Sequence, residues 1–309
     1  MINIINEKIE GLVAAPFSTL DDEGNLNLGV IDKYSKFLMK NGVRGVFVNG
    51  TSGEGYSFTV EERNATAERW VEVSPKNFKV LIQIGHTSLK VARKMAAHAQ
   101  EIGAFGIGSM APIFFKPSSV EELSDYIEKE ASAAPNIPYY YYHIPRISGA
   151  NFPMIELLSH VKEKIENFKG IKFSLPDLSD YQKCIEFEDG RFDILYCQDQ
   201  TILSAMALGA RGSIGSTYNY AAPLTLKIME GFFKNNIEES SSLAYKSIKM
   251  VEVLENTGSY FAGAKELMRI AGIDLGTVRA PLSTIPNDKL ALILPELDKI
   301  GIINYLSKK

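Results

Sequence analysis

The chain has 309 residues, 45% of them hydrophobic and 23% charged, with a formal net charge of −4. That composition describes a globular chain with ample core material, and it argues against a nucleic-acid binder, whose phosphate contacts need clustered Lys and Arg. No apolar run approaches the roughly 18 residues that cross a bilayer, and residues 1–7 have neither the basic region nor the small-residue cleavage site of a signal peptide. Cys184 and Cys197 lack CxxC spacing, and the four histidines lack metal-ligand spacing, so neither a disulfide framework nor a metal site is expected. A reducing cytoplasm is the expected home.

Short strand-like runs then recur along the chain, each followed by a helical pattern. Residues 11–16 form the first run, and a helix is expected over 28–41. Residues 45–50 form the second, after which Thr59 and Glu62 have capping-box spacing. Residues 80–85 precede a helix over 88–102, and residues 106–112 precede one that Ser119 and Glu122 would cap in the same way. The run Tyr139-Tyr140-Tyr141-Tyr142 follows, then a strand around Lys172, one over 193–198 and a weak one over 212–216. Eight β-then-α units within about 220 residues mark an α/β chain folded as a (β/α)8 TIM barrel. The competitor, a doubly wound open sheet, usually has fewer strands and often a GxGxxG turn after the first, which is absent here. Beyond Tyr220 only helices are expected, over 222–234, 238–255, 260–271 and 288–300. The expected organisation is a catalytic barrel over 1–220 and a helical extension over 221–309 packed on it.

Barrel enzymes carry their chemistry at the C-terminal ends of the strands. Lys172 sits in the run Gly170-Ile171-Lys172-Phe173-Ser174, where burying an unpaired ammonium is costly. Burial lowers such a lysine's pKa and gives a neutral amine able to form a Schiff base with a carbonyl; a solvent-facing lysine at a strand end is the plainer alternative. Of the four tyrosines, Tyr140 and Tyr142 share one face of a strand and Tyr139 and Tyr141 the other. Tyr142 is the candidate acid and base, the others are expected to pack, and His143 is expected to be structural. Gly50-Thr51-Ser52-Gly53-Glu54-Gly55 is a hydroxyl-rich turn that can hold a carboxylate or phosphate, or simply satisfy its own backbone. Asp199 after the seventh strand, and Gly215 with Ser216 after the eighth, complete the strand-end candidates.

These residues in this order resemble the N-acetylneuraminate lyase and dihydrodipicolinate synthase superfamily over essentially the whole chain. The motifs are Gly50-Thr51-Ser52-Gly53-Glu54, Tyr142-His143-Ile144-Pro145, Gly170-Ile171-Lys172-Phe173-Ser174 and Gly215-Ser216-Thr217-Tyr218-Asn219-Tyr220. Within it the chain is most similar to the animal-type lyases. The resemblance implies a class I aldolase without metal or cofactor, in which Lys172 forms the Schiff base and Tyr142 moves the proton. It further implies that Thr51 and Ser52 hold the keto acid's carboxylate, that Ser174 suits a polyhydroxy substrate, and that the protein is a homotetramer built as a pair of dimers. Phe114 and Phe115 are candidates for an interface or for packing on the barrel mouth. The synthases resemble one another in an arginine five positions after the tyrosine; here that position is Ile147, and Arg146 starts from a different direction.

One stretch departs from the lyase pattern of glycine, any residue, aspartate and glutamate. Here it is Cys197-Gln198-Asp199-Gln200. The resemblance places these residues on the sugar chain, so Cys197 and Gln200 leave two enzymatic readings open. One is cleavage of N-acetylneuraminate; the other is an aldolase or dehydratase acting on another 2-keto-3-deoxy sugar acid. A keto-acid-binding barrel without turnover is a third reading, since folds host many functions.

Overall fold

The structure, a computed structural model, describes residues 8–309; the stretch on which the signal-peptide reading rests lies outside them. Eight parallel strands close into a barrel in sequence order. They are β1 (Gly11–Ala14), β2 (Gly45–Val48), β3 (Lys79–Gln83), β4 (Gly106–Ser109), β5 (Tyr139–His143), β6 (Phe168–Phe173), β7 (Asp193–Tyr196) and β8 (Gly212–Gly215). Around them run α1 (Ile31–Lys40), α2 (Val60–Val73), α3 (Leu89–Glu101), α4 (Val120–Ala131), α5 (Pro145–Ser148), α6 (Met154–Val161), α7 (Leu178–Glu186) and α8 (Ile202–Ala207). The C-terminal helices are α9 (Tyr218–Phe233), α10 (Ile237–Glu255), α11 (Tyr260–Ile270) and α12 (Asn287–Ile300). The fold is the expected TIM barrel with helices added at its C-terminal end.

The early strands end two or three residues before the apolar runs do, because those last residues leave the barrel as the loops of its upper rim. Helix α9 begins at Tyr218, ahead of the expected start at 222, and Ala221 inside it has non-helical angles (φ −141°, ψ 30°). The Thr59–Glu62 capping box forms with both reciprocal bonds. The second box forms only by half: Ser119 accepts from the Glu122 amide, but the Glu122 carboxylate turns to Ser118 instead.

Alternation along the strands splits the apolar residues into two cores. Phe47, Leu81, Tyr140, Tyr142, Leu195 and Ile214 fill the barrel interior. Val46, Ile82, Tyr139, Tyr141, Ile171 and Phe173 face the surrounding helices. The period of two fixes this partition, so an interior neighbour of Tyr142 must sit at an interior register on β6. Lys172 is that neighbour, paired with Tyr142 on one side and Leu195 on the other. On the outer side His143 packs against Phe173 with centroids 5.3 Å apart. Neither of its ring nitrogens has a partner among the described residues, and burial holds it neutral, down at about 4. It is a structural aromatic, as expected, though not a hydrogen-bonded one.

Candidate active site

Every residue singled out at a strand end opens onto one cavity of about 310 Å³ at the C-terminal mouth of the barrel. Lys172 is at its floor, 4% exposed. Its ammonium lies 3.6 Å from the centroid of the Tyr142 ring and 5.4 Å from that of Phe47. The plainer alternative of a solvent-facing lysine is thereby removed.

The charge state of Lys172 differs from the expectation that burial would dominate. Burial is the largest single influence and pulls the amine down, but Cys197, Tyr142 and Asp199 together outweigh it and the net direction is up. The resting amine is therefore an ammonium, with two ring faces and the buried Asp199 carboxyl beside it. Chemistry at this nitrogen needs a local acceptor for its proton. Burial pushes the Cys197 thiol up to about 11, so it stays neutral at pH 7.

The Tyr142 hydroxyl reaches across the barrel mouth to the turn after β2, 3.3 Å from Thr51 Oγ1. Thr51 and Ser52 belong to the turn after β2, closed by the Glu54 amide on the Thr51 carbonyl at 3.1 Å and the Gly55 amide on the Gly50 carbonyl at 3.2 Å. The amides of Thr51 and Ser52 have no acceptor among the described residues. Two free amides and two hydroxyls thus stand beside the lysine, a donor set suited to a carboxylate.

The opposite wall comes from β7 and β8. Asp199 Oδ2 accepts from the amide and the hydroxyl of Thr217, both at 2.8 Å. Its carboxylate lies against the bare Cα of Gly215: a Cβ there would meet Asp199 Oδ1 at 2.1 Å. Burial raises Asp199 while the Thr217 bonds and Lys172 oppose it, with a net upward direction. Ser174 donates weakly to the Cys197 carbonyl at 3.5 Å, and Cys197 Sγ donates to the Leu195 carbonyl at 3.4 Å. Ser216 shares a hydrogen bond with the Tyr260 hydroxyl at 2.8 Å, and Tyr260 another with Tyr220 at 3.0 Å.

Several wall residues escaped the sequence reading. Glu255 at the end of α10, and Tyr260 and Phe261 at the start of α11, close the outer side of the cavity. A helix-only tail gives no strand-end signal, so nothing in its pattern points to them. Arg146, one position before the synthases' arginine, lines the cavity from α5, whereas Ile147 is 42% exposed. The one-turn helix opened by Pro145 sets that direction. Phe114 and Phe115 do not pack on the mouth; they are 77% and 84% exposed and touch edge to face, with centroids 4.8 Å apart.

Among the described residues no group of His, Cys, Asp and Glu is arranged to hold a metal, and no helix is long and apolar enough to cross a membrane. The arrangement offers an amine at the floor, a phenol beside it, anion donors on one wall and a polar opposite wall. That is the equipment for carbonyl-amine chemistry on a carboxylate-bearing carbonyl compound.

Comparison with known proteins gives concordant matches. The model of the dihydrodipicolinate synthetase family matches residues 8–297. N-acetylneuraminate lyase A of Xenopus laevis is 39% identical over 279 residues, covering 89% of this chain and 91% of that protein. The human N-acetylneuraminate lyase is 38% identical over 307 residues, covering 98% and 96%. Among solved structures, the Proteus mirabilis N-acetylneuraminate lyase superposes with a TM-score of 0.92 at 36% identity, covering 96% of this chain and 100% of that one.

Proposed function

Starting from the premise that this chain belongs to the dihydrodipicolinate synthetase family, we propose that it is an N-acetylneuraminate lyase. It cleaves the open-chain sugar acid to N-acetylmannosamine and pyruvate, and as an aldolase it also runs the reverse condensation. The observation that carries this reading is the meeting of Lys172, Tyr142 and the Thr51–Ser52 turn in one cavity. Curated relatives of that name, similar over nearly the whole chain, support the sugar half of the assignment.

In this mechanism Thr51 and Ser52 receive the substrate carboxylate, which brings the C2 carbonyl to the lysine. Lys172 adds to C2, and the two protons its nitrogen sheds pass to the former carbonyl oxygen, which leaves as water and gives an iminium. Tyr142 takes the proton of the C4 hydroxyl as the C3–C4 bond breaks, and the bonding pair flows into the iminium to form an enamine. The aldehyde leaves, Tyr142 returns that proton to C3 of the enamine, and water releases pyruvate and the lysine amine. The Thr51 hydroxyl, 3.3 Å from the phenol, supports Tyr142 in both proton transfers. Asp199, Ser174, Ser216 and Gln200 face the sugar chain, and Cys197 lines the same cavity. Gln200 both donates and accepts where a carboxylate only accepts.

We further propose a cytoplasmic homotetramer, supported by two free thiols and by the exposed Phe114–Phe115 pair as a contact. Sedimentation at micromolar concentration tests the assembly, and a monomer would refute it. The catalytic reading is tested by pyruvate release from N-acetylneuraminate, followed through a lactate dehydrogenase couple. Turnover with a Michaelis constant in the common micromolar-to-millimolar range supports it. No release, with pyruvate still trapped on Lys172, would move the substrate to another 2-keto-3-deoxy sugar acid, with Cys197 and Gln200 as the reason.

A further inference from the structure

The turn that faces the keto acid carries a carboxylate that does not line the cavity. Glu54 stands two residues after Ser52 in the left-handed region (φ 52°), and its side chain is 1% exposed. Ser18, in the loop after β1, donates to Glu54 Oε1. Lys265 of α11 stands 3.3 Å from the same oxygen, and the Arg279 amide donates to Oε2 at 2.7 Å. Lys265 Nζ also donates to Ser18 Oγ at 2.8 Å and to the Thr277 carbonyl. Arg279 then forks onto both oxygens of Glu62, at 2.5 and 2.7 Å, and so reaches the capping box of α2. Its guanidinium packs 4.1 Å from the centroid of the Phe58 ring.

The backbone between this network and the cavity has no slack. A Cβ on Gly55 would meet the Asn49 carbonyl oxygen at 2.0 Å, so the two ends of the turn are in contact. Glu54 is two residues from Ser52, and its amide donates to the Thr51 carbonyl at 3.1 Å, so its position is tied to theirs. A buried ion pair adds little net stability, because desolvating two charges offsets most of their attraction; fixing a geometry is its better-attested use. Lys265 also has three donors and three acceptors, namely Glu54, Ser18 and Thr277, which defines its position fully.

We infer that the Glu54–Lys265 pair is the positioning element of the carboxylate-binding turn, so that the C-terminal helices set the enzyme's affinity for the keto acid without touching it. Glu54, Lys265 and Ser18 are positioning residues, not catalytic ones. The inference rests on the keto-acid-binding half of the proposed function and is independent of which sugar forms the other half.

Pyruvate is the probe that separates the two. Full-length protein is titrated with pyruvate, the imine is reduced with borohydride, and the adduct on Lys172 is quantified by mass spectrometry. Lys265→Met is expected to raise the half-saturating pyruvate concentration tenfold or more while the adduct yield at saturation stays within twofold of wild type. The double variant Lys265→Met/Glu54→Gln, with both charges removed, is expected to recover at least threefold of that loss. A purely structural role would instead lower the saturating yield along with the affinity, and that result overturns the inference. So does an unchanged half-saturation. If Lys265→Met does not fold, Ser18→Ala removes the hydroxyl between the two charges. It should raise half-saturation threefold or more, and no rise overturns the inference. Wild-type protein that traps no pyruvate would instead refute the proposed function itself.

Discussion

At Lys172 two opposing influences meet. Burial favours a free amine, whereas Cys197, Tyr142 and Asp199 favour the ammonium, and the acidic set prevails. In the proposed mechanism the nucleophile is thus freed only as the ammonium sheds its protons. Tyr142→Phe should keep imine formation but lose at least a hundredfold in carbon–carbon cleavage, the usual scale for a general acid–base group. Single-turnover cleavage beside borohydride trapping separates the steps; equal loss of both would make Tyr142 a wall residue. Gly215→Ala should cost tenfold or more in kcat/KM, because its Cβ would fall 2.1 Å from Asp199 Oδ1 and push that carboxylate off Thr217. Near-normal kinetics would show that the Asp199 geometry is dispensable. Lys172 was legible in the sequence because a lysine inside an apolar alternation is an anomaly. The Asp199–Gly215 contact was not, because it appears only once β7 and β8 lie side by side.

At the level of elements, six of the eight strands or the loops after them, all but β3 and β4, deliver residues to the cavity, and the C-terminal helices close the bowl. The strand periodicity made the barrel legible, including that Tyr140 and Tyr142 share one face and Tyr139 and Tyr141 the other; the structure turns Tyr140 and Tyr142 inward. The walls from α10 and α11 were illegible because a helical pattern reports the face that packs on the core. The Tyr260 hydroxyl bridges Ser216 and Tyr220, at 2.8 and 3.0 Å. Tyr260→Phe should raise KM for N-acetylneuraminate threefold to tenfold and leave half-saturation by pyruvate unchanged, since only the sugar wall is altered. Steady-state kinetics and pyruvate trapping on the same preparation check this. A parallel loss of pyruvate affinity would place Tyr260 on the keto-acid side instead.

Across the whole molecule, two buried groups away from the cavity give opposed pH dependences. Burial raises Glu130, which accepts from the Tyr139 hydroxyl at 2.6 Å, to about 7 from 4.5. With its folded pKa above its unfolded one, its contribution is complete below about pH 4.5 and is lost as pH rises through about 7. His143 is lowered to about 4 from 6.5, so its contribution is complete above pH 6.5 and is lost as pH falls through about 4. Glu130→Gln should therefore gain on wild type as pH rises from 5 to 8, by up to about 3 kcal/mol. His143→Phe should lose less than wild type as pH falls from 7 to 4. Urea midpoints for the three proteins across this range test both statements, and differences that do not vary with pH would contradict them.

The most direct measurement is reductive trapping with pyruvate on wild type and Lys172→Met, with the modified peptide identified by mass spectrometry. Wild type should carry one reduced pyruvyl adduct, on Lys172. The folded variant should show no adduct and no turnover. An adduct on another lysine, or a variant that still releases pyruvate from N-acetylneuraminate, would contradict the Schiff-base role of Lys172.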